Sequence, residues 1–240
     1  MTEILKLIQE RQSVRSLYDS GRPIAKQDLM QILEAGRWAP TPHNMQNFEI
    51  TVVDDKKLLK SLGNIKYPIS DRFIKENYQN LSFSEEELLR KKVGLLGTFF
   101  PLALRTPGVK LDEATYEKVR LSWKKAIQTG PVLLVVASNP KKRAPDSEGD
   151  FLGIIGLGCV LENMWLMAHS LGISCQVMSI FNRKPAEEEV KRVLDIPESL
   201  KIAFGLRLGY VLPTPTKYLR VRREVEDFTH HNRFGNKFLD

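Results

Sequence analysis

The chain has 240 residues, 42% hydrophobic and 27% charged, with 36 Lys and Arg against 29 Asp and Glu and a formal charge of +7. That length and balance suit one globular domain over 1–240 and exclude a disordered or fibrous chain. Two cysteines, Cys159 and Cys175, are too few for a disulfide framework and lack metal-ligand spacing, so both read as small core residues.

Residues 3–10 place Ile4, Leu5, Leu7 and Ile8 at helical spacing, and the helix runs into Arg11-Gln-Ser-Val-Arg15 before Gly21 and Pro23 break it. Lys6 and Glu10 interrupt this early apolar stretch, so no export leader is expected and the expected location is cytoplasmic. Arginine forks beside a serine hydroxyl suit a phosphate, although charge clusters more often mark a solvated helix end. Lys26–Arg37 predicts a second amphipathic helix, stopped by Ala39-Pro40. The loop Pro40-Thr-Pro-His-Asn-Met-Gln-Asn47 is stiffened by two prolines and crowded with amides and hydroxyls, which fits either a polar ligand or a capped surface turn. Phe48–Val53 alternates like a strand, and Asp54-Asp55 starts another short helix.

Between Asn64 and Lys110 the pattern loosens, with a capping box at Ser84–Glu87 and an aromatic, glycine-bearing stretch around Phe99-Phe100. Such an insertion is either a lid over a site or a tethered loop with a satellite core. Asp112–Gln128 predicts a long helix, and the valine-rich run Pro131–Ala137 a central strand covered on both faces.

Gly153–Ile173 carries apolar residues on almost every side of a helical wheel, which predicts a helix buried all round, in the core or at a subunit interface. Four glycines with Glu162, Asn163 and His169 dilute it below a membrane span. Gly156 and Gly158 inside it ask for a close backbone or a flat ligand. Ser174–Ile180 and Lys201–Val211 predict further strands, with a helix from Pro185 between them. Beyond Val211 the chain is proline-marked and extended, too apolar for a free tail, so an arm over 212–240 is expected to lie on a partner subunit.

No P-loop, H-E-x-x-H, Cys-x-x-Cys pair or G-x-S-x-G occurs, and the four histidines include no metal pair at i,i+4 spacing. What remains is a set of phosphate-type donors at both ends, a rigid polar loop and a glycine-bearing apolar helix. Four segments in register, Arg11-x-Ser13-x-Arg15, Ala39-Pro-Thr-x-x-Asn44-x-Gln46, Glu162-Asn163-x-x-Leu-x-Ala168-x-x-Leu171-Gly172, and Ile196-Pro197 with Gly209-Tyr210, resemble the FMN-dependent nitroreductase family from Arg11 to about Phe234.

The resemblance implies an α+β fold with a mixed central sheet flanked by helices, in an interlocked homodimer with a swapped C-terminal arm. It implies FMN as cofactor and NAD(P)H as reductant. Arg11, Ser13 and Arg15 would hold the phosphate and flavin edge, with Arg222 or Arg220 closing on the phosphate. Pro40, Thr41, Pro42, Asn44 and Gln46 would approach the ring from the other subunit. Val177, Met178, Ser179 and Ile180 would line it, with the backbone N–H of Ser179 or Ile180 donating to flavin N5. The implied activity is ping-pong transfer of electrons from NAD(P)H to a small-molecule acceptor, a nitroaromatic, quinone or related conjugated compound, with no nucleic acid or membrane partner. Asn47 stands where the family usually has proline, Gly156 where an acidic residue often stands, and 64–128 show no matching motif. Family members that dehalogenate aromatics or consume their own flavin stay open as alternatives. So does a basic nucleic-acid-binding protein, whose basic tail from Lys217 to Arg223 is interrupted by Glu224, Glu226 and Asp227.

Overall fold

The computed structural model describes residues 1–109, 111–145, 148–211 and 218–237. In chain order they form α1 (Glu3–Glu10), α2 (Lys26–Arg37), β1 (Phe48–Val53), α3 (Lys56–Asn64), α4 (Asp71–Ile74), β2 (Ser82–Phe83) and α5 (Glu85–Lys91). Then follow β3 (Leu95–Leu96), α6 (Leu102–Arg105), α7 (Glu113–Thr129), β4 (Val132–Ser138), α8 (Phe151–Ser170), β5 (Ser174–Met178), α9 (Ala186–Leu194) and β6 (Lys201–Gly209). Packing divides the chain into two compact units, 1–68 with 117–215 and 69–116 with 216–240.

The first unit is built on a four-stranded sheet in the order β1-β4-β6-β5. β4 is buried through six consecutive residues, as its unbroken apolar run requires of a strand covered on both faces. One face packs Leu133, Val135, Met178 and Ile202 against Leu59, Leu62 and Val190 of α3 and α9. The other packs Val132, Leu134, Val136 and Leu206 against Ile32 of α2 and Val160, Met164 and Ala168 of α8. Gly36 admits Met164 so closely that a Cβ there would lie 3.0 Å from its Cγ, which fixes the approach of α2 to α8.

The expected mixed sheet is antiparallel through all of its named ladders. Its parallel component among the described residues is one bridge, Ser13 to Cys175, where the segment after α1 runs beside β5. β5 ends at Met178 rather than Ile180, because the chain turns there into a short 3₁₀ turn, Ile180–Asn182. That turn seats Phe181 over Gly205, where a Cβ would lie 2.4 Å from the ring.

Within the single chain α8 is buried on only part of its circumference. Gly153, Gly156, Val160, Met164 and Ala168 are buried, but Phe151 is 65%, Ile154 60% and Ile155 47% exposed. One chain has only enough surface to cover one side of such a helix. By length and composition α8 could cross a membrane, yet its buried stripe joins it to α2 and the sheet. Its polar residues find partners: Asn163 Nδ2 donates to the Ala35 carbonyl at 3.1 Å and Glu162 pairs with Arg11 at 3.0 Å. The helix closes at Gly172, φ +70°, with Ile173 N–H returning to the Ala168 carbonyl.

In the second unit Ser84 and Glu87 form the expected capping box on α5, and Leu88 is fully buried. Tyr78 makes edge contacts with Phe73 at 5.8 Å and Phe100 at 4.7 Å. Lys92 ion-pairs with Glu224 at 2.5 Å, tying the stretch after α5 to the C-terminal stretch. Of the expected arm over 212–240, residues 212–217, Lys217 among them, and 238–240 lie outside the described residues.

Gly205→Ala should lower the unfolding free energy by about 1–3 kcal/mol, since a methyl cannot share the space of the Phe181 ring. Denaturant unfolding of the two proteins checks this.

Candidate functional site

The helix expected to run on into 11–15 ends at Glu10, because the chain leaves it at Arg11 to run beside β5. Arg11, Ser13 and Arg15 are alternate residues of that stretch, and alternate residues share a side where the backbone is extended. The segment is held to the sheet edge by the Ser13 bridge and by the Val14 N–H, which donates to the Cys175 carbonyl at 2.8 Å. Arg15 is exposed. Arg11 is half-buried, paired with Glu162 and stacked 4.3 Å from the centre of the Trp165 ring. A guanidinium over an aromatic face and beside a carboxylate is held in one orientation, so α8 sets where the first donor of the segment points.

The loop after α2 is compact and strained. Thr41 Oγ1 accepts from the Gln46 N–H at 3.1 Å, and Gln46 Nε2 donates to Asn44 Oδ1 at 3.2 Å. His43, Asn44 and Gln46 all have φ between 45° and 51°, a region L-residues enter at a cost. The loop rests on α8 at Gly156, where a Cβ would lie 3.3 Å from Pro42 and 3.4 Å from Thr41. That contact supplies the backbone approach the glycine asked for. A Cβ added at Gly158 would meet nothing within 4 Å among the described residues, so no close approach accounts for that glycine within the single chain. Pro40, Asn44 and Gln46 are exposed, and Asn47 is buried.

At the far end of β5, Ser179 is exposed between the buried Met178 and Ile180, and Val177 is half-buried. Arg220 and Arg222 are exposed and belong to the second unit. In the first unit 11–15 lies beside the start of β5 and the middle of α8, 40–46 rests on α8 at Gly156, and 177–180 closes the other end of β5.

A feature the sequence did not announce is a cavity of about 280 Å³ beside the first segment, lined by Gln12, Val14, Arg22, Trp165, His169, Cys175 and Tyr210 among others. Arg22 stacks 3.6 Å from the centre of the Tyr210 ring on its rim. Arg22 follows Gly21 in what reads as a plain turn, so no spacing marks it. Burial pushes the Cys175 thiol well above its usual range, with Arg11 pulling the other way, and the same desolvation raises the phenol of Tyr18.

The model of the Nitroreductase family matches residues 8–210. The chain belongs to the nitroreductase family. An Archaeoglobus fulgidus protein carrying the double name NADH dehydrogenase/NAD(P)H nitroreductase is 23% identical over 210 residues, which are 88% of this chain and 86% of that protein. A nitroreductase with bound FMN from Desulfitobacterium hafniense DCB-2 superposes with a TM-score of 0.61 at 21% identity, over 97% of this chain and 100% of that one. Another with bound FMN, from Bacteroides fragilis NCTC 9343, gives 0.58 at 23% identity over 94% and 97%. These likenesses establish the fold.

Cys175 gives a signed pH dependence. A thiol whose folded pKa is raised contributes stability that is whole below the ordinary thiol pKa of ~8.5 and is lost as pH climbs above it, because the unfolded chain then releases a proton the folded one keeps. Between pH 8 and 10 the unfolding free energy should fall more steeply than in Cys175→Ala, the difference approaching about 1.4 kcal/mol per pH unit. Parallel urea titrations across that range measure it.

Proposed function

We propose that this chain is a homodimeric, FMN-dependent oxidoreductase that moves electrons from NADH or NADPH to a nitroaromatic, quinone or related conjugated acceptor. The observation that carries the reading is the Arg11-x-Ser13-x-Arg15 segment, tied by its centre to Cys175 of β5, within a chain that matches the family over 8–210. FMN, when bound, supplies the redox chemistry, taking a hydride at N5 from NAD(P)H and passing electrons to the acceptor in ping-pong order.

The donors present fit such a group. Two guanidinium forks and a hydroxyl on one side of an extended segment suit a phosphate, which accepts paired charged donors. Arg220 and Arg222, exposed and basic, stay candidates for the same phosphate. Ser179 follows the end of β5, so its backbone N–H, or that of Ile180, is the donor assigned to N5, where it would steady negative charge on the reduced ring. The amides of Asn44 and Gln46 brace each other, which leaves the loop stiff enough to meet a flat ring.

The dimer in this reading forms over α8 and α1. Phe151, Ile154 and Ile155 on α8 and Ile4, Leu5 and Ile8 on α1 are exposed in the single chain, and α1 contains no buried residue at all. The Arg11 pair with Glu162 joins the end of α1 to the middle of α8, so the two helices are neighbours. A second copy is the occupant because FMN sites of the family use loops from two subunits, and 40–46 rests on this same helix at Gly156. The arm beyond 212 reaching the partner belongs to this proposal. A nicotinamide reductant suits a cytoplasmic setting.

Protein titrated with FMN under anaerobic conditions should show a bound-flavin spectrum whose oxidised band bleaches on adding NADPH or NADH and recovers with an acceptor. Protein that takes up no FMN would sink the proposal, and binding without bleaching by either donor would reduce it to a flavin carrier. Ile155→Asp should shift sedimentation from dimer to monomer and weaken FMN binding by about tenfold or more, since a charge at a buried apolar seam is unpaired. A dimer of unchanged strength in that variant would remove α8 from the interface.

A further inference from the structure

Arg207 sits within β6 with no solvent exposure at all. A buried guanidinium ordinarily sits opposite a carboxylate, because a lone charge in the interior costs several kcal/mol. Its described partners are all uncharged. Nη1 donates to Gln176 Oε1 directly across the β5–β6 ladder, and Nη2 donates to the Ser16 carbonyl at 3.4 Å. The guanidinium carbon lies 4.2 Å from the centre of the Tyr18 ring, and Nε has no hydrogen-bond partner.

Two of these contacts lead to the segment that carries Ser13 and Arg15. The backbone of that segment is tied to the sheet at Val14, through the Cys175 carbonyl, and at Asp19, whose N–H donates to the Tyr210 carbonyl at 2.7 Å. Between those ties, Arg15 to Tyr18 have no ladder of their own. There Arg207 takes the Ser16 carbonyl and the Tyr18 ring, while the Tyr18 hydroxyl donates back to the Val14 carbonyl at 3.0 Å. Gly209 leaves room for Tyr18, since a Cβ would lie 2.7 Å from its ring. A planar fork that bonds two chain segments while stacking on a ring is a task lysine cannot copy and an apolar residue cannot begin.

We propose that Arg207 is a positioning residue: it locks the backbone of 15–18 beneath the sheet edge so that Ser13 and Arg15 hold their donors toward the phosphate of FMN. This rests on the flavin reading above. Among the described residues no carboxylate faces this charge, and its fork instead pins a binding segment.

The test loads the dimer with FMN or with riboflavin, which lacks the phosphate, and follows flavin release on dilution by fluorescence. In Arg207→Met the affinity for FMN should fall about tenfold and that for riboflavin by less than about threefold, because only the phosphate contacts are misplaced. Arg207→Lys, which keeps the charge without the fork, should lose most of the same FMN preference. Equal weakening of both flavins would show a general structural role and overturn the inference, as would an unchanged FMN-to-riboflavin ratio. If Arg207→Met does not fold, Arg207→Lys and Tyr18→Phe, which cuts the tie to Val14 and keeps the ring, are read by the same ratio. Failure of the unaltered protein to bind FMN overturns the flavin reading itself, whereas normal binding with an unaltered ratio in the variants overturns the role of Arg207 alone.

Discussion

A helix that is apolar on nearly every side must be covered on more than one side, and α8 meets that demand only in part within its own chain. Val160, Met164 and Ala168 pack under α2 and against the sheet, at a spacing set by Gly36. At the start of the helix Phe151, Leu152, Ile154 and Ile155 are exposed. Burial of each such side chain is worth about 1.5–3 kcal/mol, which is the physical basis of the dimer proposed above. The same helix seats the strained 40–46 loop at Gly156 and orients Arg11 through Glu162 and Trp165. Core, loop and first donor therefore depend on one element, and a shift of α8 would move all three.

The second dependence runs along the edge of β5. A single parallel bridge and two backbone hydrogen bonds attach the segment 13–19 to the sheet, which is slight anchorage for residues expected to grip a charged group. Stiffness there comes from side chains beneath it, Tyr18 and Arg207, both desolvated and both held in their neutral-partner network. Desolvation lowers the guanidinium pKa and raises the phenol's, the expected direction for each when charge is disfavoured. A core that spends a cation on a surface segment places shape ahead of stability at that point.

Much of the architecture was legible because it follows from periodicity and punctuation. The bounds of α2 and β1 are those read from the sequence, and the capping box at Ser84, the Gly172 stop and the doubly covered β4 each rest on a local rule. The Arg11-x-Ser13-x-Arg15 motif was legible as a motif but not in its conformation, because the apolar spacing of α1 gives no stop signal and the helix ends at Glu10, where the chain turns out to run beside β5. Which part of α8 its own chain leaves uncovered was not legible, because composition reports how apolar a helix is, not how much surface one chain has to cover it. Arg207 escaped notice because one arginine in an apolar strand has no pattern; only its strand pairing and the path of 13–18 give it a task.

By itself the sequence determined the order and kind of the main elements and the family that unites them. Those depend on neighbours along the chain, which it states directly. Tertiary structure alone decided which face of α8 is left uncovered, that the loop at 40–46 rests on Gly156, and that a buried cation lies under the 13–18 segment. Each of these is a contact between residues far apart in the chain, where close packing rather than local propensity selects the neighbour.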